Sequence, residues 1–311
     1  MSDRLKAELS LAFATLVWGC TFVASKAGLS YISPMAYVAG RSLLGGAVLL
    51  FYFRSVLPRI GRAELKSGIL IGCFLFAGYT CLTAGMTHTT ASKAAFINTF
   101  EAVLPAVLLA VFWKKPGPPL LWAGAGAALA GLYLLGVPPG GFSGLNRGDV
   151  LVFAGAVMFS LHTITMGILT PRHEVGALAI LQVSTTAVLS VVSLPLFALS
   201  GIERPWLVFN PVLALALLLS GVFSLAMGLS IQTWAQRHTP ASHAALFFSL
   251  IPVFAGLASY IFLGERLGGR ELAGGSCIFA GVLMASMSHS SSVQPQPPTA
   301  DASEYGLGGG L

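Results

Sequence analysis

Long apolar runs broken by short polar connections dominate the pattern of this chain. Ten runs can be drawn, at about 9–29, 34–53, 67–86, 91–112, 119–137, 149–170, 175–199, 211–234, 241–263 and 269–287. Each approaches the ~20 residues that an α-helix needs to cross a hydrocarbon core. The runs are continuous rather than alternating, which argues against an outer-membrane barrel, whose strands read as short segments of period two. Connections such as Arg172-His173-Glu174 hold only a turn, so neighbouring helices are expected to lie antiparallel. The predicted fold is an all-α integral membrane protein with ten transmembrane helices.

Composition points the same way. Asp, Glu, Lys and Arg make up only 9% of the 311 residues and hydrophobic residues 55%, against roughly 25% charge in an ordinary soluble protein. No hydrophilic stretch is long enough to fold alone, which excludes a soluble enzyme carrying an appended anchor. The net charge of +6 would suit a nucleic-acid partner, but the placement of the bases speaks for membrane topology, and no nucleic acid is expected. With the N-terminus cytoplasmic, that side receives ten basic residues: Arg4, Lys6, Arg54, Arg59, Arg62, Lys66, Lys114, Lys115, Arg172 and Arg237. The opposite side receives four: Arg147, Arg204, Arg266 and Arg270. This excess predicts that both termini are cytoplasmic. Cys20, Cys73, Cys81 and Cys277 all lie in apolar runs, with spacings that suggest neither disulfides nor zinc. No metal and no cofactor are expected. The polar N-terminal tail enters a full-length span without a cleavable-signal layout.

The two halves repeat. A shift of 140 lays Leu11, Phe13, Ala14 and Val17 on Leu151, Phe153, Ala154 and Val157. A shift of 150 lays His88, Thr89, Ala91, Ser92, Ala94 and Ala95 on His238, Thr239, Ala241, Ser242, Ala244 and Ala245, and Gly124 and Gly131 on Gly274 and Gly281. Five spans per half is odd, so the second copy is expected to enter the membrane inverted, as in many secondary transporters. The expected organisation is a cytoplasmic tail at 1–8, a first repeat at 9–137, a connecting loop at 138–148, a second repeat at 149–287 and a disordered cytoplasmic tail at 288–311. Ala123, Ala127 and Gly131, repeated as Ala273, Cys277 and Gly281, read as small-residue ridges for close helix packing.

Several motifs resemble the drug/metabolite transporter superfamily of the EamA type. They are Trp18-Gly19-x-x-Phe22, Pro34 with Arg41, Gly148-Asp149, the Thr-x-Ala-Ser-x-Ala-Ala blocks at 89–95 and 239–245, Pro252, and Leu263-Gly264-Glu265. The likeness runs over residues 8–287, with one departure: Lys114-Lys115 stands where the second half has Gly264-Glu265. The resemblance implies ten helices, a central cavity lined by the first four helices of each repeat, and ATP-independent export or exchange of a small metabolite. It also implies the bacterial inner (plasma) membrane. Amino acids, aromatic ones among them, are the first substrate class to consider; drugs and sugars are the alternatives within the superfamily. A monomer and a homodimer both remain open.

Ionisable groups inside a span are candidates for function because they are costly there. Glu101 lies near mid-depth in the fourth run with Asn98 one turn before it. It reads either as a cavity carboxylate for a substrate ammonium or proton, or as a structural carboxylate held by a neighbour. Arg41 can grip a carboxylate, pair with Glu101, or reach the interface. Its counterpart under a shift of 141 is Gln182. His162 reads as a proton relay, a hydrogen-bonding group or a packing histidine. Trp18, Phe22 and Ser25 share a face of the first helix. Tyr79, Phe100, Gln232, Trp234, Phe248 and Ser249 add aromatic and polar groups that suit a zwitterion with an apolar side chain, whereas Trp113, Trp122 and Trp206 read as interface markers.

Catalysis finds no support, for the chain has no Gly-x-Ser-x-Gly elbow, His-Glu-x-x-His or P-loop. No catalytic residue is assigned. A passive channel or facilitator is the rival reading, though isolated polar residues do not form the continuous stripe or charged ring that it needs.

Overall fold

Prolines and short polar side chains decide where many of the helices begin. Pro34, Pro119 and Pro211 open their helices, where the missing N–H costs nothing. Thr90, Asn146 and Asn210 accept hydrogen bonds from the first turns that follow them. A computed structural model describes residues 3–112, 118–136, 146–235, 247–248 and 250–289. Within these the order is α1 (Asp3–Gly28), α2 (Pro34–Tyr52), a 3₁₀ turn (Leu57–Arg59), α3 (Arg62–Met86), α4 (Ala91–Asn98), α5 (Phe100–Phe112), α6 (Pro119–Gly136), α7 (Arg147–Leu169) and a second 3₁₀ turn (Thr170–Arg172). There follow α8 (Val175–Leu199), α9 (Pro211–Leu218), a π-helical stretch (Leu219–Gly228), α10 (Leu229–Ala235), α11 (Ile251–Leu263) and α12 (Gly269–His289).

Among the described residues, six helical segments are long and apolar enough to cross a membrane: Lys6–Gly28, Pro34–Tyr52, Arg62–Met86, Arg147–Arg172, Val175–Leu199 and Pro211–Ala235. Shorter apolar helices lie at Pro119–Gly131 and Ile251–Leu263. The outer faces carry many large apolar side chains: Phe51 and Phe262 are each 75% exposed and Leu199 86%. Such a surface is stable only against lipid, and the chain is a multi-pass membrane protein.

Two elements differ from the sequence pattern. The run at 91–112, read as one helix, is divided at Thr99 into α4 and α5. Pro105 lies inside α5. It has no N–H to offer the carbonyl of Glu101, and its ring crowds that carbonyl. Just ahead of it Thr99 N is shared between Ala95 O at 3.1 Å and Phe96 O at 3.2 Å, and Ala102 N donates to Thr99 O at 2.9 Å. The run at 211–234 is helical throughout, but its centre is wound as a π-helix, a form uncommon in long stretches and frequent at functional sites.

Helix pairing is arranged around close backbone contacts. α3 packs on α7 and α8, α1 on α9, the π stretch, α10 and α11, α2 on α8 and the π stretch, and α6 along α12. At the α6–α12 seam the contacting face is Gly124, Ala128 and Gly131 against Gly274, Ile278 and Gly281. This keeps Gly131 and Gly281 of the expected ridge and corrects the rest, since Ala123 and Ala273 are exposed and Gly124, Ala128, Gly274 and Ile278 make the contact in place of Ala123, Ala127, Ala273 and Cys277. The contact is reciprocal. A Cβ on Gly131 would stand 2.5 Å from Gly274 O, and one on Gly281 2.5 Å from Gly124 O. Close approach of this kind substitutes for the hydrophobic drive that lipid does not provide.

Gly131→Val and Gly281→Val should therefore each lower stability by ~1–3 kcal/mol, the usual range for overpacking. Gly126→Ala, where a Cβ meets nothing within 4 Å, should leave it unchanged. Thermal unfolding in detergent would measure the three variants, and equal midpoints would refute the seam.

Candidate functional site

A cavity opens where α1, α2, α3, α4, α5, α7, the π stretch, α10 and α11 converge. Its aromatic wall is Trp18, Phe22, Tyr79 and Phe159. Its polar wall is Thr21, Ser25, Arg41, Thr83, Asn98, Glu101, His162, Ser224 and Gln232. Leu75, Leu82, Met86, Leu229 and Ile251 complete it.

Arg41 is held at several points. Its Nη2 donates to Ser220 O at 3.1 Å and to Ser224 Oγ at 3.3 Å. Its guanidinium lies 4.1 Å from the centroid of the Tyr79 ring, a cation–π contact whose worth rises when water is excluded. Tyr79 in turn meets Phe159 edge-on at 5.0 Å. Arg41 is 3% exposed, and no ion pair joins it to Glu101, so pairing with Glu101 and reaching the interface are both corrected. The reason is local: the π stretch presents a backbone carbonyl and a hydroxyl nearer than any carboxylate. The same stretch receives Trp18, whose Nε1 donates to Ser224 O at 3.2 Å. Gly228 leaves room for that indole, as a Cβ there would lie 2.6 Å from Nε1.

Glu101 is bound within its own segment. Asn98 Nδ2 donates to Glu101 Oε2 at 2.9 Å, bridging the break at Thr99. Asn98 Oδ1 and Arg41 Nε are buried without a hydrogen-bond partner. Such groups cost ~1–3 kcal/mol each when left unmet.

Of the residues expected at a site, the cavity brings together Trp18, Phe22, Arg41, Tyr79, Asn98, Glu101, His162 and Gln232. Gln182 lies behind the wall instead, fully buried, with Oε1 2.8 Å from His162 Nε2. It orients the histidine. Phe248 is buried against Trp18, edge-on at 5.5 Å, and supports the wall without lining it. Ser249, Trp113, Lys114, Lys115, Arg237, His238 and the block at 239–245 lie outside the described residues. Phe159 and Thr83 were missed, although each sits one turn from a residue that was named, His162 and Tyr79 respectively. Ser224 had no such signal, since its position depends on the π winding.

A family profile described as the EamA-like transporter family matches residues 5–137 and again 146–287. An uncharacterized transporter of Archaeoglobus fulgidus is 31% identical over 284 residues, 91% of this chain and 87% of its own. The uncharacterized transporter YvbV of Bacillus subtilis is 28% identical across 87% of this chain and 88% of its own. Over 81 residues, 26% of each chain, a protein of Streptantibioticus cattleyicolor named as a probable terminal-alkyne amino-acid exporter is 31% identical. Among solved structures, one crystal structure superposes with a TM-score of 0.63 at 20% identity over 94% of this chain and 100% of the other, a likeness of fold.

The His162–Gln182 contact makes a direct prediction. Gln182→Leu should lower stability by ~1–3 kcal/mol, because it leaves a buried ring nitrogen unpaired. The double variant Gln182→Leu/His162→Phe should recover part of that loss. Additive losses in thermal unfolding would mean that the pair contributes nothing jointly.

Proposed function

The chain belongs to the EamA-like transporter family, and from that premise we propose that this membrane transporter is a secondary carrier of small amphipathic metabolites, with amino acids as its leading substrate class. The observation that carries this reading is the pair of opposite charges in the cavity wall, held apart from each other. The Glu101 carboxylate is held by Asn98 and the Arg41 guanidinium by the π stretch, so neither neutralises the other. A molecule with an ammonium at one end and a carboxylate at the other answers both, and the rings of Trp18, Phe22, Tyr79 and Phe159 suit an apolar side chain. The name of the Streptantibioticus cattleyicolor relative, a probable terminal-alkyne amino-acid exporter, is in keeping with this class.

Alternating access is the mechanism proposed. The two matched segments are read as inverted five-helix repeats, ten spans in all, and the cavity takes walls from both. Trp18, Arg41 and Asn98 come from the first segment, and His162, Ser224 and Gln232 from the second. Substrate held by both halves would be released when one rocks against the other. Arg41 supplies the carboxylate end of the site and stays in place through Tyr79 and the π stretch. Asn98 and Glu101 supply the ammonium end from either side of the Thr99 break, where the backbone is easiest to bend. The membrane is read as the bacterial inner membrane, with both termini cytoplasmic.

Vesicles containing the purified protein should show saturable amino-acid uptake, accelerated by unlabelled substrate on the opposite side. Flux linear to high concentration without counterflow would point to a channel. Because Glu101 is bonded to Asn98 and not to Arg41, Glu101→Gln keeps an oxygen for Asn98 Nδ2 and should fold normally. Its transport should fall by ~10-fold or more, in line with the worth of a charge-assisted hydrogen bond, and wild-type rates would remove the carboxylate from substrate binding. Orientation is checked by cysteine labelling on a cysteine-free background. Position 62 should react from the cytoplasm and position 203 from outside, and the reverse would overturn the topology.

A further inference from the structure

The turn between α3 and α4, with the first turn of α4, is tied down by three different parts of the molecule. From α1, Lys26 Nζ donates to Met86 O at 2.6 Å. From α7, Asp149 accepts from Thr89 Oγ1 at 2.9 Å and pairs with Lys93 Nζ at 2.7 Å. From beyond α11, the Glu265 carboxylate accepts from Ala91 N at 3.0 Å, Ser92 N at 3.1 Å and Ser92 Oγ at 2.7 Å. Gly264 makes the last tie possible. It ends α11 with φ of 66°, a left-handed turn that glycine adopts without strain, and so aims Glu265 across at α4.

What is tied down is mechanically connected to the cavity. Met86, at the end of α3, is part of the cavity wall, and so is Asn98, at the far end of α4. α4 is only 8 residues long and is separated from α5 at Thr99, so it can move as a short lever with Glu265 at one end and the cavity at the other. The sequence adds an asymmetry. Under the shift of 150, the first half carries Lys114-Lys115 where the second carries Gly264-Glu265. A lysine ammonium has no lone pair with which to accept from a helix N-terminus. It also leaves the first half without the glycine that the turn uses.

We propose that the α3–α4 turn is the gate over one mouth of the cavity and that Glu265 is its latch, a positioning residue that holds this mouth shut; the repeat-related position in the sequence is Lys115. The proposal rests on the carrier reading, since only a carrier must keep one mouth closed while the other is open. Substrate pulling on Asn98 would draw on α4 and loosen its first turn from Glu265. The freed N–H groups and carboxylate can then be taken up by water at the mouth.

The test uses the full-length protein in sealed membranes of either orientation. Thr83→Cys, in a chain lacking Cys20, Cys73, Cys81 and Cys277, serves as a cavity reporter for a membrane-impermeant maleimide. Glu265→Ala should raise labelling from the face that bears residue 265 by about tenfold or more, the equilibrium worth of its charge-assisted bonds, and lower it from the other face. Glu265→Gln, which keeps one acceptor oxygen and is the better-folding variant, should lie between. A drop in thermal midpoint with an unchanged ratio of labelling between the faces would overturn the latch and make Glu265 a scaffold residue. Unchanged labelling alongside saturable counterflow would remove the latch and leave the carrier standing. Shifted labelling alongside linear flux would keep the latch and remove the carrier.

Discussion

A polar group inside a bilayer has no water to bond and must find its partner within the protein. Three cations on the helices meet that constraint with backbone oxygen. Arg41 donates to Ser220 O, Lys26 to Met86 O, and Arg270 Nε to Leu134 O at 2.9 Å. The indole of Trp18 does the same with Ser224 O. Each bond ties two helices at a defined height, so satisfying the polar groups and aligning the helices are one process. Arg41 shows how far this goes. A carboxylate lies on the same cavity wall, yet the arginine is anchored to the π stretch and to Tyr79, which leaves Glu101 to Asn98.

The same constraint explains why irregular backbone is concentrated around the cavity. The break at Thr99 and the π winding at Leu219–Gly228 both disturb the regular ladder of helical hydrogen bonds. In lipid such disturbance is tolerated where protein or a cavity, and not hydrocarbon, surrounds it. Both features lie at the cavity: Asn98 and Glu101 flank the break, and Ser224 sits within the π stretch. Away from the cavity the helices are regular and meet through glycine, as at the α6–α12 seam. There the backbones approach so closely that a methyl group would collide with a carbonyl.

Membership of the EamA-like family was legible in the order of its motifs, and membrane insertion in the apolar runs and the scarcity of charge. Those properties are additive along the chain, and local sequence carries them. Much of the cavity wall was legible too, because a polar residue deep in an apolar run is costly enough to mark itself. Arg41, Asn98, Glu101 and His162 were visible on those grounds, and Trp18 through the helix face it shares with Phe22. The small-residue ridge was visible as a pattern, but its register was not: Ala123 and Gly124 are both small, and only the approach of α12 selects between them.

The tertiary structure decided the partners. Arg41 could equally have met Glu101 or the interface, and Gln182 could have faced the cavity as well as His162. Which occurs depends on the rotation of each helix about its axis, set by the packing of all its neighbours at once. The π winding depends on the same packing: it is stabilised by the side chains of Trp18 and Arg41, each about 180 residues or more away along the chain. The burial cost of a polar group is a property of its own segment and can be read from sequence. The identity of the group that offsets that cost is a property of the assembled bundle.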